Sequence, residues 1–178
     1  MERKITGEER RERLLGLLKN STLPITGADL ATRNGVSRQV IVQDLSLLKA
    51  SGHDIVATPR GYLHAAKEEG SYRRKVVCRH TPEELGAECD AIVDEGVTIL
   101  DVIVEHPVYG FLTGELMLKS RRDVRTLITR LRETDSPPLS SLTDGIHIHT
   151  LEADSEQALD AAVARLETLG ILISELDA

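Results

Sequence analysis

Two of the six histidines in this chain stand in a pattern suited to metal binding. In Gly145-Ile-His-Ile-His-Thr150, Ile146 and Ile148 alternate with His147 and His149, the period of a half-buried strand. Side chains two apart on a strand leave the same face, so both imidazoles project together. Two neutral imidazoles so aligned chelate one transition metal when other segments supply the remaining ligands. His80 directly precedes a helix start, and Glu88 lies two turns into that helix. A closed zinc or nickel site needs three or four nitrogen or oxygen donors, and His80, Glu88, His147 and His149 make a chemically sensible set. Each has an ordinary reading as well. His80 reads as a helix-start residue, Glu88 as a solvated carboxylate, the His-Ile-His pair as an edge-strand surface feature, and His106 as a turn histidine.

The elements that must position these residues follow from hydropathy pattern and caps. A strand is expected at Arg74–Arg79, a helix from Pro82 to Asp94, and strands at Thr98–Glu105 and Gly110–Leu118 joined through His106-Pro107. A helix follows from Arg121 to Arg132, a loop at Asp135-Ser136-Pro137-Pro138, and a strand at Gly145–Glu152. The last elements are a helix from Ser155 to Leu169 and a strand at Ile171–Glu175. Thr81-Pro82 with Glu84, Ser120 before Asp123, and Ser155 before Ala158 supply helix-start chemistry. Strands alternating with helices, one hairpin included, imply a two-layer α/β domain with a mixed or mainly antiparallel sheet.

The front of the chain has another character. Glu8–Lys19 places Leu14, Leu15, Leu17 and Leu18 at helical spacing. Thr26 caps a short helix at Gly27–Thr32 that Asn34-Gly35 closes, and Ser37 caps Arg38–Ala50. Two short helices joined by a tight glycine-bearing turn form a helix-turn-helix, whose second helix enters the major groove. Asp54–Ala57 and Gly61–Leu63 flank Thr58-Pro59-Arg60 as a two-stranded wing holding Arg60 outward. Ser37, Arg38, Gln39 and Gln43 occupy the early, exposed part of the recognition helix, where base edges and phosphates are met. A winged helix used only to dock a protein is the competing reading.

Charge agrees with two tasks. Net charge is −7, yet residues 1–65 carry ten Lys/Arg against seven Asp/Glu, and residues 66–178 carry twelve against twenty-two. A basic front and an acidic back suit DNA contact in one domain and another role in the other. The divided reading gives an α+β protein: a winged helix-turn-helix over 1–65, a polar linker at Ala65–Ser71, and a second domain over 72–178. Hydrophobic residues make up 40% and aromatics 2%, so the core is aliphatic. No apolar run approaches the roughly 20 residues that span a bilayer. Met1-Glu2-Arg3-Lys4 leads into charge rather than an apolar stretch, and Cys78 and Cys89 form no recognisable disulfide or zinc-knuckle spacing. A cytoplasmic protein with no membrane contact is expected.

Leu30-Ala31, Val36-Ser37-Arg38-Gln39-Val40-Ile41, Asp44-Leu45 and Leu48 resemble the helix-turn-helix of biotin-repressor and deoxyribose-repressor type. His80-Thr-Pro-Glu-Glu, Asp101-Val-Ile-Val-Glu-His-Pro-Val-Tyr-Gly110 and Gly145-Ile-His-Ile-His-Thr150 together resemble the three-histidine (3H) domain. Behind a winged helix, that is the architecture of the nicotinate-responsive repressors of NAD biosynthesis and niacin uptake. The resemblance implies a C-terminal fold similar to the histidine phosphocarrier proteins, a homodimer, a divalent metal such as nickel or zinc, and nicotinic acid as co-repressor. It carries the metal to His80, Glu88, His147 and His149, with Glu83 and Glu84 close enough to compete for the carboxylate position. It assigns His106, Tyr109 and Arg79 to the effector pocket. The function expected is a transcriptional repressor, not an enzyme, with operator DNA, nicotinic acid and a second copy as partners. A repressor sensing the metal itself, a metal-dependent hydrolase or lyase with a DNA-binding tail, and phosphoryl transfer through His80 or His106 are the competing readings.

Overall fold

A computed structural model describes residues 5–65 and 70–173. The chain divides into two compact units, Met1–Lys67 and Glu68–Ala178. Residues 66–69 of the expected linker, and 174 and 175 of the expected last strand, lie outside the described residues.

The first unit is a three-helix bundle with a small antiparallel wing. Helix α1 (Gly7–Lys19) opens on a reciprocal cap: Thr6 Oγ1 accepts from the Glu9 amide, and the Glu9 carboxylate accepts from the Thr6 amide. Thr26 caps α2 (Gly27–Asn34), and Gly35 ends it at φ 62°, a left-handed conformation that costs glycine nothing. Ser37 caps α3 (Arg38–Ala50). Leu14, Leu18, Leu30, Ile41, Leu45, Leu48 and Ile55 are buried together, so α3 turns one face inward while Arg38, Gln39 and Gln43 stay exposed. Leu47, on the outer side of α3, is 45% exposed. Strands β1 (Ile55–Thr58) and β2 (Gly61–His64) make the wing. Gly61, at φ 134°, lies so close to the Ile25 carbonyl that a Cβ there would be 2.5 Å from its oxygen. Arg60, at the turn of the wing, is half-buried. The Thr58 hydroxyl, which accepts its amide N–H (3.1 Å), keeps the turn tight.

Inside this unit Asp44 of α3 is 2% exposed. Arg10 of α1 donates to it twice, from Nε at 2.5 Å and Nη2 at 3.2 Å. The pair fixes the recognition helix against α1 with fork-shaped geometry.

The second unit has the order β3 (Tyr72–Arg79), a 3-10 turn (Pro82–Glu84), α4 (Leu85–Val93), β4 (Thr98–His106), β5 (Gly110–Leu118), α5 (Arg121–Glu133), a 3-10 turn (Leu139–Thr143), β6 (Ile146–Ala153) and α6 (Glu156–Thr168). The sheet runs β3-β6-β4-β5 with every neighbour antiparallel. The three helices pack on one face, over Cys78, Ile92, Ile99, Leu118, Val124, Leu151, Leu159 and Leu166. The expected single helix from Pro82 to Asp94 is divided, because Thr81 and Glu84 form a capping box around the 3-10 turn before α4 begins. At the end of the described chain, Leu172 makes an isolated bridge to Cys78.

Breaking a buried ion pair by removing one partner leaves the other charge unsatisfied and costs about 3–5 kcal/mol. Because the Arg10 side chain keeps 17% of its surface in solvent, Asp44→Asn is expected near the lower end, about 3 kcal/mol. Urea unfolding followed by probes in each unit checks it: the N-terminal transition moves and the C-terminal one does not.

Candidate metal and effector site

Three segments converge in the second unit. His80 follows β3, Glu88 projects from the first turn of α4, and His147 and His149 share the helix-facing side of β6. All four are buried, between 1% and 8% exposed. The Glu88 carboxylate is the hub: His80 Nε2 lies 2.6 Å from Oε2, His147 Nε2 3.0 Å from Oε1, and His149 Nε2 3.4 Å from Oε2. The rings meet edge to face, with centroids 4.8 Å apart for His80–His147 and for His147–His149.

The opposite nitrogen of each ring fixes the tautomer. His80 Nδ1 is 2.7 Å from the Thr81 carbonyl, His147 Nδ1 2.8 Å from the Gly145 carbonyl, and His149 Nδ1 2.6 Å from the Asp101 carbonyl. A carbonyl only accepts, so each Nδ1 carries the hydrogen. In the neutral rings all three Nε2 atoms are then bare electron pairs facing a carboxylate, acceptors against an acceptor. Such a cluster requires a positive species among the four groups, either protons on the rings or a metal ion. Imidazoles oriented through Nδ1–H to a carbonyl, with Nε2 turned inward beside a carboxylate, are the donor set and outer hydrogen bonding that a divalent transition metal uses. The residues fit the metal.

Without metal the cluster leans on protons. Burial works to lower the His80 pKa, but the hydrogen bond and charge of Glu88 outweigh it, and the balance is raised. His149 is raised for the same reasons, against the same burial. Burial works to raise Glu88, and the imidazoles hold it well below the ordinary carboxylate range.

Backbone irregularities build this geometry. The β4–β6 register slips between Ile99 and Ile103, and in that bulge Asp101 does two jobs. Its carbonyl accepts from His149 Nδ1, and its carboxylate accepts from the Thr150 amide at 2.9 Å. Gly145, at φ 89°, presses on the residue before the helix; a Cβ there would stand 2.2 Å from the His80 carbonyl oxygen. That contact holds the start of β6 against the end of β3.

The cluster forms the polar end of a cavity of about 290 Å³. Its walls are Leu85, Val102, Gly114, Leu116, Leu127, Leu131, Pro137, Pro138 and Leu139, with Cys89 and Ser140. The loop after α5 and its 3-10 turn thus cover one side.

Comparison with known proteins agrees with this architecture. A helix-turn-helix domain matches residues 10–63 and the 3H domain matches 73–175. The "Transcription repressor NadR" of Bacillus subtilis (strain 168) is 47% identical over 177 residues, 98% of each chain. The "Probable transcription repressor NiaR" of Thermotoga maritima is 40% identical over 175 residues, 98% of this chain and 99% of that protein. The chain belongs to the NadR and NiaR family of transcription repressors.

The carboxylate ambiguity disappears in the fold of this family member. Glu84 accepts from the Thr81 amide at 2.8 Å and its hydroxyl at 3.1 Å, a cap that also lowers the Glu84 pKa. Glu83 is exposed. Glu88 alone faces the imidazoles. The residues assigned to the effector pocket are a different matter. His106 and Tyr109 sit at the tip of the β4–β5 hairpin, where His106 pairs with Gly110, and neither lines the cavity. His106 Nδ1 accepts from the Val108 and Tyr109 amides (3.1 and 3.3 Å), and its ring lies 4.9 Å from the Tyr109 ring. It is a turn histidine. Arg79 is exposed beside His80, and with His80, Thr81, Asp144 and Gly145 it lines a second cleft. The aliphatic walls around the four polar residues have no counterpart among the sequence motifs, because distant apolar residues carry no mark of a shared cavity. Asp101 was a detectable signal: a charge interrupting the apolar run Ile99 to Val104. In the first unit Ser37, Arg38, Gln39 and Gln43 are exposed at the start of α3, with Ser37 Oγ accepting from the Val40 amide at 3.4 Å.

Two outcomes are expected. Gly145→Ala places a methyl against the His80 carbonyl and displaces two ligand-bearing segments; equilibrium dialysis should show zinc affinity reduced by roughly 10–100-fold, the penalty of a disturbed outer shell. The second is a reversal of pH dependence. The raised pKa values of His80 and His149 give the metal-free unit stability that is complete below their unfolded value of 6.5 and lost as pH climbs through the raised folded values. The lowered Glu88 contributes above its unfolded value of 4.5 and loses this as pH falls through the depressed one. Chelator-stripped protein should therefore melt lower at about pH 8 than at about pH 6, whereas zinc-loaded protein, which needs neutral imidazoles, should melt higher. Thermal melts of both forms in matched buffers check the opposite slopes.

Proposed function

We propose that this protein is a cytoplasmic, DNA-binding transcription repressor of NAD biosynthesis and niacin uptake, with nicotinic acid as co-repressor and a bound divalent metal, nickel or zinc, completing its sensor. The observation that carries the sensor reading is the convergence of three unshared Nε2 pairs on Glu88 at the end of an apolar cavity. His80, Glu88, His147 and His149 would hold the metal, which when bound supplies a positive centre open to an anionic or nitrogen donor. The names of the relatives support the repressor role.

The cavity, rather than the hairpin tip, is where we place the acid. Its aliphatic walls suit one planar ring, and its volume is on the scale of a small ligand. A ligand carboxylate brought near Glu88 in apolar surroundings is repelled unless a cation compensates both charges. The metal cluster meets that need, and neutral nicotinamide lacks the charge that makes it count. Apart from the four cluster residues, Cys89 and Ser140, every lining side chain is apolar or absent, which favours a sensor over a catalytic pocket needing its own proton-transfer groups.

On DNA, Arg38, Gln39 and Gln43 of α3 would read the major groove, with Ser37 and Arg60 at the backbone. Two copies in a dimer would address the half-sites of a pseudo-palindromic operator. Nicotinic acid need only bind the DNA-competent arrangement better than the alternative. A coupling of about 1–3 kcal/mol changes operator affinity by roughly 5–150-fold.

The test is calorimetric titration of nicotinic acid, with nicotinamide as control, into metal-loaded and chelator-stripped protein, followed by gel shifts on promoter DNA from NAD-synthesis and niacin-uptake genes. Saturable binding that selects the acid, disappears on stripping and tightens the DNA complex is expected. No heat from folded, metal-loaded protein would remove nicotinate from the reading. DNA affinity that follows free metal and ignores the acid would instead make the metal itself the effector.

A further inference from the structure

Both cysteines of the chain are buried thiols, and one of them stands at the cluster. Cys78 faces His147 directly across the β3–β6 pairing and is fully buried. Its Sγ, a Glu88 carboxylate oxygen and a His147 ring nitrogen all lie within 4.8 Å of one another, the spacing of ligand atoms around a single ion. Cys78 belongs to the aliphatic core of the unit and does not line the cavity. Its sulfur therefore reaches the cluster from the core side, leaving the cavity side to a small ligand. Cys89, next to Glu88 in sequence, lines the cavity and contributes no donor atom to that group.

Charge gives the sulfur a purpose. A divalent ion held by three neutral imidazoles and one carboxylate keeps a net positive charge, in a place where four ligand side chains are almost wholly removed from solvent. Uncompensated charge in such surroundings is costly. While the cavity holds no acid, a thiolate beside the carboxylate cancels it, standing in for the charge that the acid's carboxylate would bring, and sulfur with imidazole is a donor combination that zinc, cobalt and nickel accept.

We propose that Cys78 is a further ligand of the metal in this cluster, its sulfur joining Glu88 and the three imidazoles. The inference rests on the metal reading above. The metal–sulfur bond forms as the thiol releases its proton to solvent, without change of oxidation state. Such a set prefers zinc, cobalt and nickel over magnesium or manganese, which favour oxygen donors.

Cobalt(II) spectroscopy tests this on the full chain, stripped of metal and kept reduced and anaerobic. The ligand-field bands in the visible report uptake, and a sulfur-to-cobalt charge-transfer band in the near ultraviolet reports the thiolate. The expected result is both features in the wild type and in Cys89→Ser. In Cys78→Ser the charge-transfer band is lost, the visible bands remain, and affinity falls by roughly tenfold or more, at least the penalty of a disturbed outer shell. X-ray absorption on zinc-loaded wild type and Cys89→Ser should show sulfur at about 2.3 Å, and this holds whether or not Cys78→Ser folds. Visible bands with no charge-transfer band in wild type, or a charge-transfer band that survives Cys78→Ser, overturns the Cys78 assignment and leaves the histidine–glutamate metal reading standing. Folded protein that takes up no cobalt and no zinc overturns both.

Discussion

Three imidazoles turn unshared electron pairs toward one carboxylate in a place nearly closed to solvent. Almost everything particular about the C-terminal unit serves that confrontation. Each Nδ1–H is spent on a backbone carbonyl, of Thr81, Gly145 or Asp101, so the rings have one orientation and one face to offer. Acceptors held against an acceptor are stable only with a cation among them. The cluster is thus an unfinished electrostatic arrangement, which protons on the rings complete or which the proposed metal would complete in their place, linking stability to what is bound.

The arrangement needs backbone of unusual shape. A regular β4–β6 ladder would commit the Asp101 carbonyl and the Thr150 amide to each other's strands; the bulge frees the first for His149 and gives the second to the Asp101 carboxylate. Gly145 permits an approach to His80 that no side chain tolerates. Thr81 and Glu84 cap the turn before α4, so that helix begins where Glu88 falls among the histidines. These are local departures from regular structure around the candidate site, each satisfied by a specific partner.

The two units divide the labour by charge and by surface. The basic first unit exposes Arg38, Gln39 and Gln43 on a helix whose inner face is fixed by aliphatic packing and by the Arg10–Asp44 pair. The acidic second unit hides its polar chemistry inside and surrounds it with aliphatic walls. The proposed sensor would translate binding in a small cavity into the disposition of the two recognition helices of a dimer, which requires only that effector affinity differ between two arrangements.

Composition, period and caps determined much by themselves. Alternation of Ile and His put His147 and His149 on one face; Thr26, Gly35, Ser37, Ser120 and Ser155 marked where helices begin and end; and charge partition separated the DNA-facing part from the rest. Those features are written locally, in periods of two and 3.6 residues and in capping chemistry. What the sequence could not express is distance between segments far apart in the chain. It left Glu88 in competition with Glu83 and Glu84, and only the fold showed that Glu84 is consumed by a cap while Glu88 is turned inward. It offered His106 and Tyr109 as pocket residues, and the hairpin register carried them to an exposed tip. Cys78 had no motif at all; its place opposite His147 exists because β3 pairs with β6 although 68 residues separate the two in the chain. The cavity, too, is made by side chains from separate strands, helices and the α5–β6 loop, whose aliphatic character promised a core and gave no sign of a hollow within it. Residue type and spacing decide which groups can do chemistry, and tertiary packing decides which of them meet, because solvent exclusion and donor geometry are properties of neighbours in space.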